Sequence, residues 1–165
     1  MTRWRRLVLG SAVALALASV SCGSDSRDHT TQTDSDHGSN EAIDFGEPEV
    51  PEAGDRRIKV TALDALAFNP AQITVTKGET ITFEVTNTGS IKHEFVIGDA
   101  DFQRAHEEEM AEGDVSMEHV GNTLVLEPGQ TGSLAWTFTR AGKVLYGGHE
   151  PGHYEGGMVG TVQVN

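Results

Sequence analysis

Histidine and methionine, which bind copper through nitrogen and sulfur, are concentrated near the C-terminus of this 165-residue chain. The stretch YGGHEPGHYEGGM, residues 146–158, contains His149, His153 and Met158 around a Pro-Gly turn. A further histidine, His93, opens the apolar stretch HEFVIG. A single histidine is usually a solvated or hydrogen-bonded side chain, but imidazoles together with a thioether suit copper better than magnesium, calcium or manganese. The sequence therefore predicts a copper-binding loop near the C-terminus.

A second group of such residues lies in the segment 99–121, which contains His106, Met110, Met117 and His119. His106 and Met110 are four residues apart, so a helix would present them on one face. Met117 and His119 are two residues apart, so an extended strand would present them on one side. This group is a candidate for a second, looser copper site or for a patch that loads the first. The alternative is a solvated acidic helix whose methionines pack against the domain, because methionine is a common packing residue.

The elements that would position these residues are predominantly strands. From Arg56 onward, apolar residues alternate with polar ones, and Asn-Pro, Lys-Gly and Pro-Gly turn signals separate the alternating stretches. Eight short strands predict an all-β sandwich or barrel. The segment 99–121 breaks this period, and helix formers from Ala100 to Glu112 precede Gly113, which predicts an inserted loop with a short helix. The eight stretches are RIKVTA, QITVT, TITFEVT, KHEFVIG, NTLVLE, SLAWTFT, KVLYG and GTVQV.

The N-terminus has the pattern of an export signal. Residues 1–21 begin with arginines, continue with an apolar run that is too short to span a bilayer, and end in small residues before Cys22. This pattern predicts a lipoprotein-type signal peptide and lipidation of Cys22, the only cysteine of the chain. The alternative is an ordinary cleaved signal with an incidental cysteine. Arg5 and Arg6 also leave the twin-arginine export route open beside the general one.

The rest of the chain divides by composition into a linker and a domain. Residues 22–54 are rich in Ser, Asp, Glu and Gly, which predicts a disordered acidic linker tethered to a membrane by the lipid. Residues 55–165 form the predicted domain. The net charge of −13 excludes binding of nucleic acid through a basic patch, and it suits a cationic partner or a metal ion. We expect an exported protein that is lipid-anchored in the bacterial cell envelope.

Two longer stretches resemble the cupredoxins, the blue-copper family that includes plastocyanin and azurin. They are FNPAQITVTKGETITFEVTNTGSIKHEFVIGD and PGHYEGGMVGTVQV, and the resemblance covers residues 60–165. The most similar branch contains small periplasmic cupredoxins linked to copper tolerance. The resemblance implies a Greek-key β-sandwich and a copper cofactor, Cu(I) or Cu(II). It also implies that His93 and His153 are the two ligand histidines and that Met158 is the axial methionine.

The chain departs from the family at one ligand. The resemblance places a thiolate cysteine five residues before the second ligand histidine, and this position is Gly148. His149 adjoins the lost cysteine and offers a third nitrogen. Since the thiolate gives type 1 copper its intense colour, a site without it should be colourless or pale. Such a site should also bind copper more weakly once acid protonates the imidazoles, because only the neutral ring is a ligand.

The residues and the resemblance together favour a copper-binding envelope lipoprotein that sequesters or delivers copper in copper tolerance. Its expected partners are the copper ion, the membrane through the lipid anchor, and a protein that exchanges copper or electrons. One alternative is a type 1-like electron-transfer protein, and another is a metal-free interaction module with the same fold. We do not expect an enzyme, because the sequence has neither a recognisable nucleophile elbow nor a phosphate-binding loop.

Overall fold

The structure is a computed structural model that describes residues 44–53, 55–113 and 121–165. These residues form strands and one helix, which is inserted between the sixth and seventh strands. In chain order the elements are β1 (Glu47–Glu49), β2 (Arg56–Leu63), β3 (Ala67–Asn69), β4 (Gln72–Val75), β5 (Thr80–Asn87), β6 (His93–Gly98), α1 (Ala100–Glu112), β7 (Thr123–Leu126), β8 (Thr131–Thr137), β9 (Gly142–Gly147) and β10 (Val159–Val164).

The strands form two five-stranded sheets that pack as a sandwich. The order is β1-β8-β5-β2-β3 in one sheet and β4-β10-β9-β6-β7 in the other. Most neighbouring strands are antiparallel, but β2 pairs with β5 and β4 pairs with β10 in parallel. The predicted all-β sandwich with one short inserted helix is confirmed, and all eight predicted stretches contribute strands.

The core is built by the alternation seen in the sequence. Successive side chains of a strand point to opposite faces, so every second residue of β5 and β8 is directed between the sheets. Phe83 and Trp136 are fully buried there. From the other sheet, Phe95 packs on Tyr146 with ring centroids 5.3 Å apart. This aromatic core holds the ends of β6 and β9, from which the candidate metal ligands extend.

The sandwich begins earlier in the chain than predicted. Phe45 is 3% exposed and stacks on Trp136 with ring centroids 5.4 Å apart. β1 then pairs antiparallel with β8. Phe45 and β1 lie within the predicted linker 22–54, yet one buried aromatic ring and a three-residue edge strand attach them to the sandwich. Neither β1 nor β3 is long enough to show a period in the sequence.

The predicted helix is confirmed over Ala100–Glu112. The side chain of Asp99 caps its N-terminus by accepting a 2.9 Å hydrogen bond from the Phe102 backbone N–H. Gly113 ends the helix with φ 72°, a left-handed conformation that favours glycine. Within the described residues, no helix has the length and apolar character needed to cross a bilayer. The predicted signal peptide, Cys22, and the candidate ligands Met117 and His119 lie outside the described residues.

Candidate metal centre

The first predicted ligand, His93, is fully buried at the start of β6. The loop before it is shaped by Asn87, also fully buried, whose side-chain amide donates to the Ile91 carbonyl at 2.7 Å and the Leu126 carbonyl at 3.0 Å. The side-chain oxygen of Asn87, Oδ1, accepts from the Gly89 N–H at 2.8 Å. Two of these bonds join Asn87 to the loop between β5 and β6, and the third joins it to the end of β7. They fix the loop and therefore the position of the imidazole that follows it.

Asp64 orients the ring of His93. Its carboxylate lies 3.3 Å from His93 Nε2, and it also accepts hydrogen bonds from the backbone and hydroxyl of Ser90. The bonds from Ser90, the side-chain bond first, lower the pKa of Asp64 to about 2, so this carboxylate is ionised and accepts a hydrogen bond from Nε2–H. His93 Nδ1 is buried and has no hydrogen-bond partner in the described part of the chain. Its lone pair is thereby available to a metal ion.

The second predicted ligand, His153, lies in the turn between β9 and β10. Its backbone N–H donates to the Glu150 carbonyl at 2.8 Å, and Met158 N–H donates to the His153 carbonyl at 3.0 Å. Lys92 forms a 2.8 Å ion pair with Glu150 and so ties this turn to the loop before His93. The rings of His93 and His153 have centroids 5.1 Å apart. Two imidazoles that bind one ion at about 2 Å have centroids roughly 5 Å apart, so this spacing fits a shared metal. His153 would bind it through Nε2, because its Nδ1 donates to the Glu150 carbonyl oxygen at 2.8 Å.

The space beside Gly148, where the resemblance would place a cysteine, is taken by Met158, the predicted axial ligand. Met158 is fully buried, and a Cβ atom built on Gly148 would lie 2.8 Å from its sulfur and 3.1 Å from the Glu94 carbonyl oxygen. Gly148 N–H also donates to the Met158 carbonyl at 3.0 Å. The structure therefore brings the rings of His93 and His153 together and places the Met158 sulfur against Gly148, the residue without a side chain. His153, 8% exposed, is the most accessible of the three.

His149 contacts the inserted helix in this structure. Its Nδ1 lies 2.6 Å from Glu107 Oε2, and its Nε2 lies 2.6 Å from Gln103 Oε1. The ring also stacks on Tyr154 with centroids 4.5 Å apart. Burial lowers the pKa of His149, and the hydrogen bond with Glu107 opposes this shift. His149 as a third nitrogen for the first site stays a prediction that would require both of its hydrogen bonds to break.

The second predicted group is divided by the structure. His106 is 3% exposed, and its Nε2 lies 3.3 Å from Glu94 Oε2, whereas Met110 is half-buried one turn further along the helix. The ring of His106 packs edge-to-face against that of His149 with centroids 4.7 Å apart. The pairing of His106 with His149 was missed, because residues from an insertion and from a distant loop share no sequence pattern.

Three polar residues beside the histidines also escaped the sequence analysis: Asp64, Glu94 and Gln103. Each belongs to a different element, and each contacts a histidine that is distant in sequence. Glu94 is the only one with a signal, since a carboxylate within the apolar stretch HEFVIG is unusual. Among the described residues, no three His, Cys, Asp or Glu side chains already converge as a complete metal site.

Comparisons with known proteins agree with this geometry. The sequence profile of copper binding proteins of the plastocyanin/azurin family matches residues 56–165, which is the sandwich from β2 onward. The chain belongs to the plastocyanin/azurin family. As a member of that family it has a copper-binding, cupredoxin-like role, and copper is its cofactor.

Two relatives of this plastocyanin/azurin family member carry the same name, copper-resistant cuproprotein CopI. The protein from Rubrivivax gelatinosus is 35% identical, and the match covers 92% of this chain and 92% of that protein. The protein from Pseudomonas aeruginosa PAO1 is 34% identical, with 73% of this chain and 82% of that protein covered.

Solved structures give the same fold. Dithionite-reduced auracyanin from Roseiflexus castenholzii has a TM-score of 0.60 and 25% identity, and the match covers 67% of this chain and 98% of that one. Auracyanin A, a "blue" copper protein from Chloroflexus aurantiacus, has a TM-score of 0.58 and 22% identity, with 68% of this chain and 100% of that one covered. The latter shows the fold alone.

Proposed function

We propose that this protein binds copper through His93, His153 and Met158 without a thiolate, and that it sequesters or delivers copper in copper tolerance. The observation that carries the proposal is the buried Nδ1 of His93, which has no partner in the described residues. The centroid of the His93 ring lies 5.1 Å from that of the His153 ring, and the thioether of Met158 is also buried. A buried nitrogen without a partner is unfavourable unless a ligand satisfies it.

The donor set favours exchange of the ion over electron transfer. Two imidazoles bind either oxidation state, and the thioether favours Cu(I). Without a thiolate, the intense charge-transfer band and the tuned potential of type 1 copper are lost. The less buried His153 gives an incoming ligand of a partner protein a route to the ion. The names of the two relatives, copper-resistant cuproproteins, support a role in copper tolerance, and this role is binding rather than catalysis.

The proposed location is the bacterial cell envelope. It rests on the signal-like residues 1–21 and on Cys22, which would carry the lipid anchor. A linker between Cys22 and the sandwich would let the domain reach a copper-exchanging partner while it stays tethered. Radiolabelled palmitate incorporated into the wild type but not into Cys22→Ser, together with membrane fractionation, tests this part. Unlabelled wild type in the soluble fraction would contradict it.

The central experiment is a copper titration of the full chain carrying Cys22→Ser, which removes the free thiol from every sample. Cu(I) is added under anaerobic conditions and Cu(II) in air, while bound metal and the visible and EPR spectra are followed. We expect one tightly bound Cu(I) ion per chain, and no strong visible band in either oxidation state. His93→Ala should weaken binding at this site by at least about 100-fold, because it removes one of three ligands.

The matched control is His37→Ala, which removes a histidine of the predicted linker and should bind like its parent. If His93→Ala binds like its parent as well, the proposed site is wrong. If no sample binds copper, the metal-free interaction module becomes the better explanation.

Electron transfer remains the second candidate because the chain belongs to a family of blue-copper proteins. It predicts fast, reversible one-electron cycling of the copper-loaded protein at an electrode. Sluggish or absent cycling would eliminate this candidate and leave copper sequestration and delivery.

A further inference from the structure

A second buried polar cluster lies between helix α1, strand β6 and the loop after β9. Its members are His106, His149, Glu94, Gln103 and Glu107, of which the first four are at most 3% exposed. None of them belongs to the His93–His153–Met158 arrangement. Burying two imidazoles and two carboxylates together is unfavourable unless each polar atom is satisfied, so the bonding of each atom indicates what the cluster can hold.

The His149 ring makes one short contact in which two acceptor atoms face each other, so a cation is needed between them. Gln103 Nε2 donates to the Val96 carbonyl at 2.8 Å, which directs its Oε1 at His149. Since Oε1 is an acceptor, His149 Nε2 carries the hydrogen. The other nitrogen, Nδ1, lies 2.6 Å from Glu107 Oε2. A bare imidazole nitrogen and a carboxylate oxygen both accept, so this close contact requires either a proton or a metal ion between them.

His106 repeats the bonding of His93. In each residue, Nε2 lies 3.3 Å from a carboxylate oxygen, Asp64 for His93 and Glu94 for His106. In each, the buried Nδ1 lacks a partner within the part of the chain that the structure describes. Metal-binding histidines usually donate the opposite ring N–H to a carboxylate or carbonyl group, which fixes the tautomer and the ring orientation. His106 and His149 both have such a partner.

We propose that His106 Nδ1, His149 Nδ1 and the Glu107 carboxylate form a second metal site, which takes a divalent ion that prefers nitrogen and oxygen, Zn(II) or Cu(II). Glu94 and Gln103 hold the two rings in place. The ring centroids are 4.7 Å apart, near the roughly 5 Å of two imidazoles on one ion. The three donor groups are not yet arranged around one point, because a shared proton holds His149 Nδ1 against Glu107 Oε2. The ion replaces this proton as Glu107 turns outward from the ring.

Zinc separates this site from the copper site. Zn(II) is bound by imidazole and carboxylate, whereas the thioether of the first site favours Cu(I). The full chain carrying Cys22→Ser is first loaded with one equivalent of Cu(I) under anaerobic conditions and then titrated with Zn(II). We expect one Zn(II) per chain, bound without displacement of copper. Zinc X-ray absorption should show nitrogen and oxygen neighbours and no sulfur.

Glu107→Gln and Glu108→Gln form the matched pair of variants. Both remove one negative charge from the same helix, but Glu108 is exposed and pairs with Arg104. Glu107→Gln should weaken Zn(II) binding at least about tenfold, since it removes a charged ligand, and Glu108→Gln should change it less than about twofold. Glutamine can still hydrogen-bond His149, and thermal melts of the metal-free variants verify that both fold. His106→Asn gives a second, independent loss of a ligand.

Several outcomes would overturn the second site. They are no Zn(II) binding by the parent, equal binding by Glu107→Gln and its control, and a sulfur neighbour in the zinc spectrum. The linker histidines are the same in all of these samples, so their contribution cancels. His93→Ala, tested with Zn(II) alone, distinguishes this proposal from the proposed function. A His93→Ala protein that still binds Zn(II) but has lost copper binding supports two sites. A His93→Ala protein that binds neither ion contradicts a separate site.

Discussion

The protein contains two buried histidine pairs with similar ring geometry and different surroundings. His93 and His153 have ring centroids 5.1 Å apart, and His106 and His149 have centroids 4.7 Å apart. The first pair lies beside the thioether of Met158, and the second is surrounded by carboxylates and an amide. Because ligand softness selects the metal, the same ring spacing should serve a soft ion in one pair and a harder divalent ion in the other.

The two pairs also differ in how they are held. His93 and His153 extend from loops joined to the aromatic core, and the ion pair between Lys92 and Glu150 links those loops. The pair of His106 and His149 joins the inserted helix α1 to the loop between β9 and β10. His106 is in the helix, and His149 is in that loop. His149, next to Gly148, therefore fixes the helix against the loop that carries His153. A change at the inserted helix should be transmitted to the copper site through this contact.

The largest expected effect comes from Gly148→Cys, which would add a thiolate to the first pair alone. Gly148 does not have a positive φ, so its backbone accepts a side chain. The flexible Met158 side chain must move away from the new Cβ, and the Glu94 carbonyl oxygen, 3.1 Å from it, must shift slightly. We expect the Cu(II) form to gain a strong visible charge-transfer band that the parent lacks. Absorption and EPR spectra measure this effect.

Gly148→Ser is the control for Gly148→Cys, because it places a side chain of similar size on the same residue without a thiol. A pale Gly148→Cys protein that binds copper normally would show that the first pair is not arranged for a type 1 site.

The second effect concerns the carboxylates that orient the rings. Asp64→Asn keeps the shape of the side chain but weakens its ability to hold His93 Nε2–H, so copper affinity at the first pair should fall by about tenfold. Glu94→Gln should leave that affinity within about twofold while it weakens zinc binding at the second pair. Isothermal titration of both variants with both ions measures the four affinities. If the two variants affect the same ion, the pairs are not independent.

A smaller effect is expected from Met158→Leu, which replaces the thioether with a side chain of similar volume. Cu(I) affinity should fall by about fivefold, because the axial sulfur is a weak ligand that favours the reduced ion. Cu(II) and Zn(II) affinities should change little. Competition with a colorimetric Cu(I) chelator measures the change, and Met110→Leu on helix α1 is the control. Equal loss in both methionine variants would indicate that packing, rather than coordination, is responsible.

The sequence predicted those parts of the fold and site that depend on local periodicity. Phe83 and Trp136 are core residues because alternation within a strand determines the buried face. The short edge strand after Phe45 has no such period, so the start of the domain was not predictable. The contacts of His93 with Asp64 and of His106 with Glu94 form only when the chain is folded. For that reason the candidate ligands were identified in advance, while the side chains that orient them were not.

The smallest predicted effect is a difference in acid stability that originates at the first pair. The hydrogen bonds from Ser90 lower the pKa of Asp64 from 3.8 to about 2, so the folded state favours the ionised carboxylate. The resulting stabilisation is present above about pH 4 and is lost as the pH falls towards the folded-state pKa. The melting temperatures of metal-free wild type and Asp64→Asn should differ by a few degrees near neutral pH and converge near pH 2. Asp101→Asn, which removes an exposed carboxylate paired with Arg104, should show no such convergence. A difference between wild type and Asp64→Asn that persists at pH 2 would mean that Asp64 stabilises the loop by its shape and not by its charge.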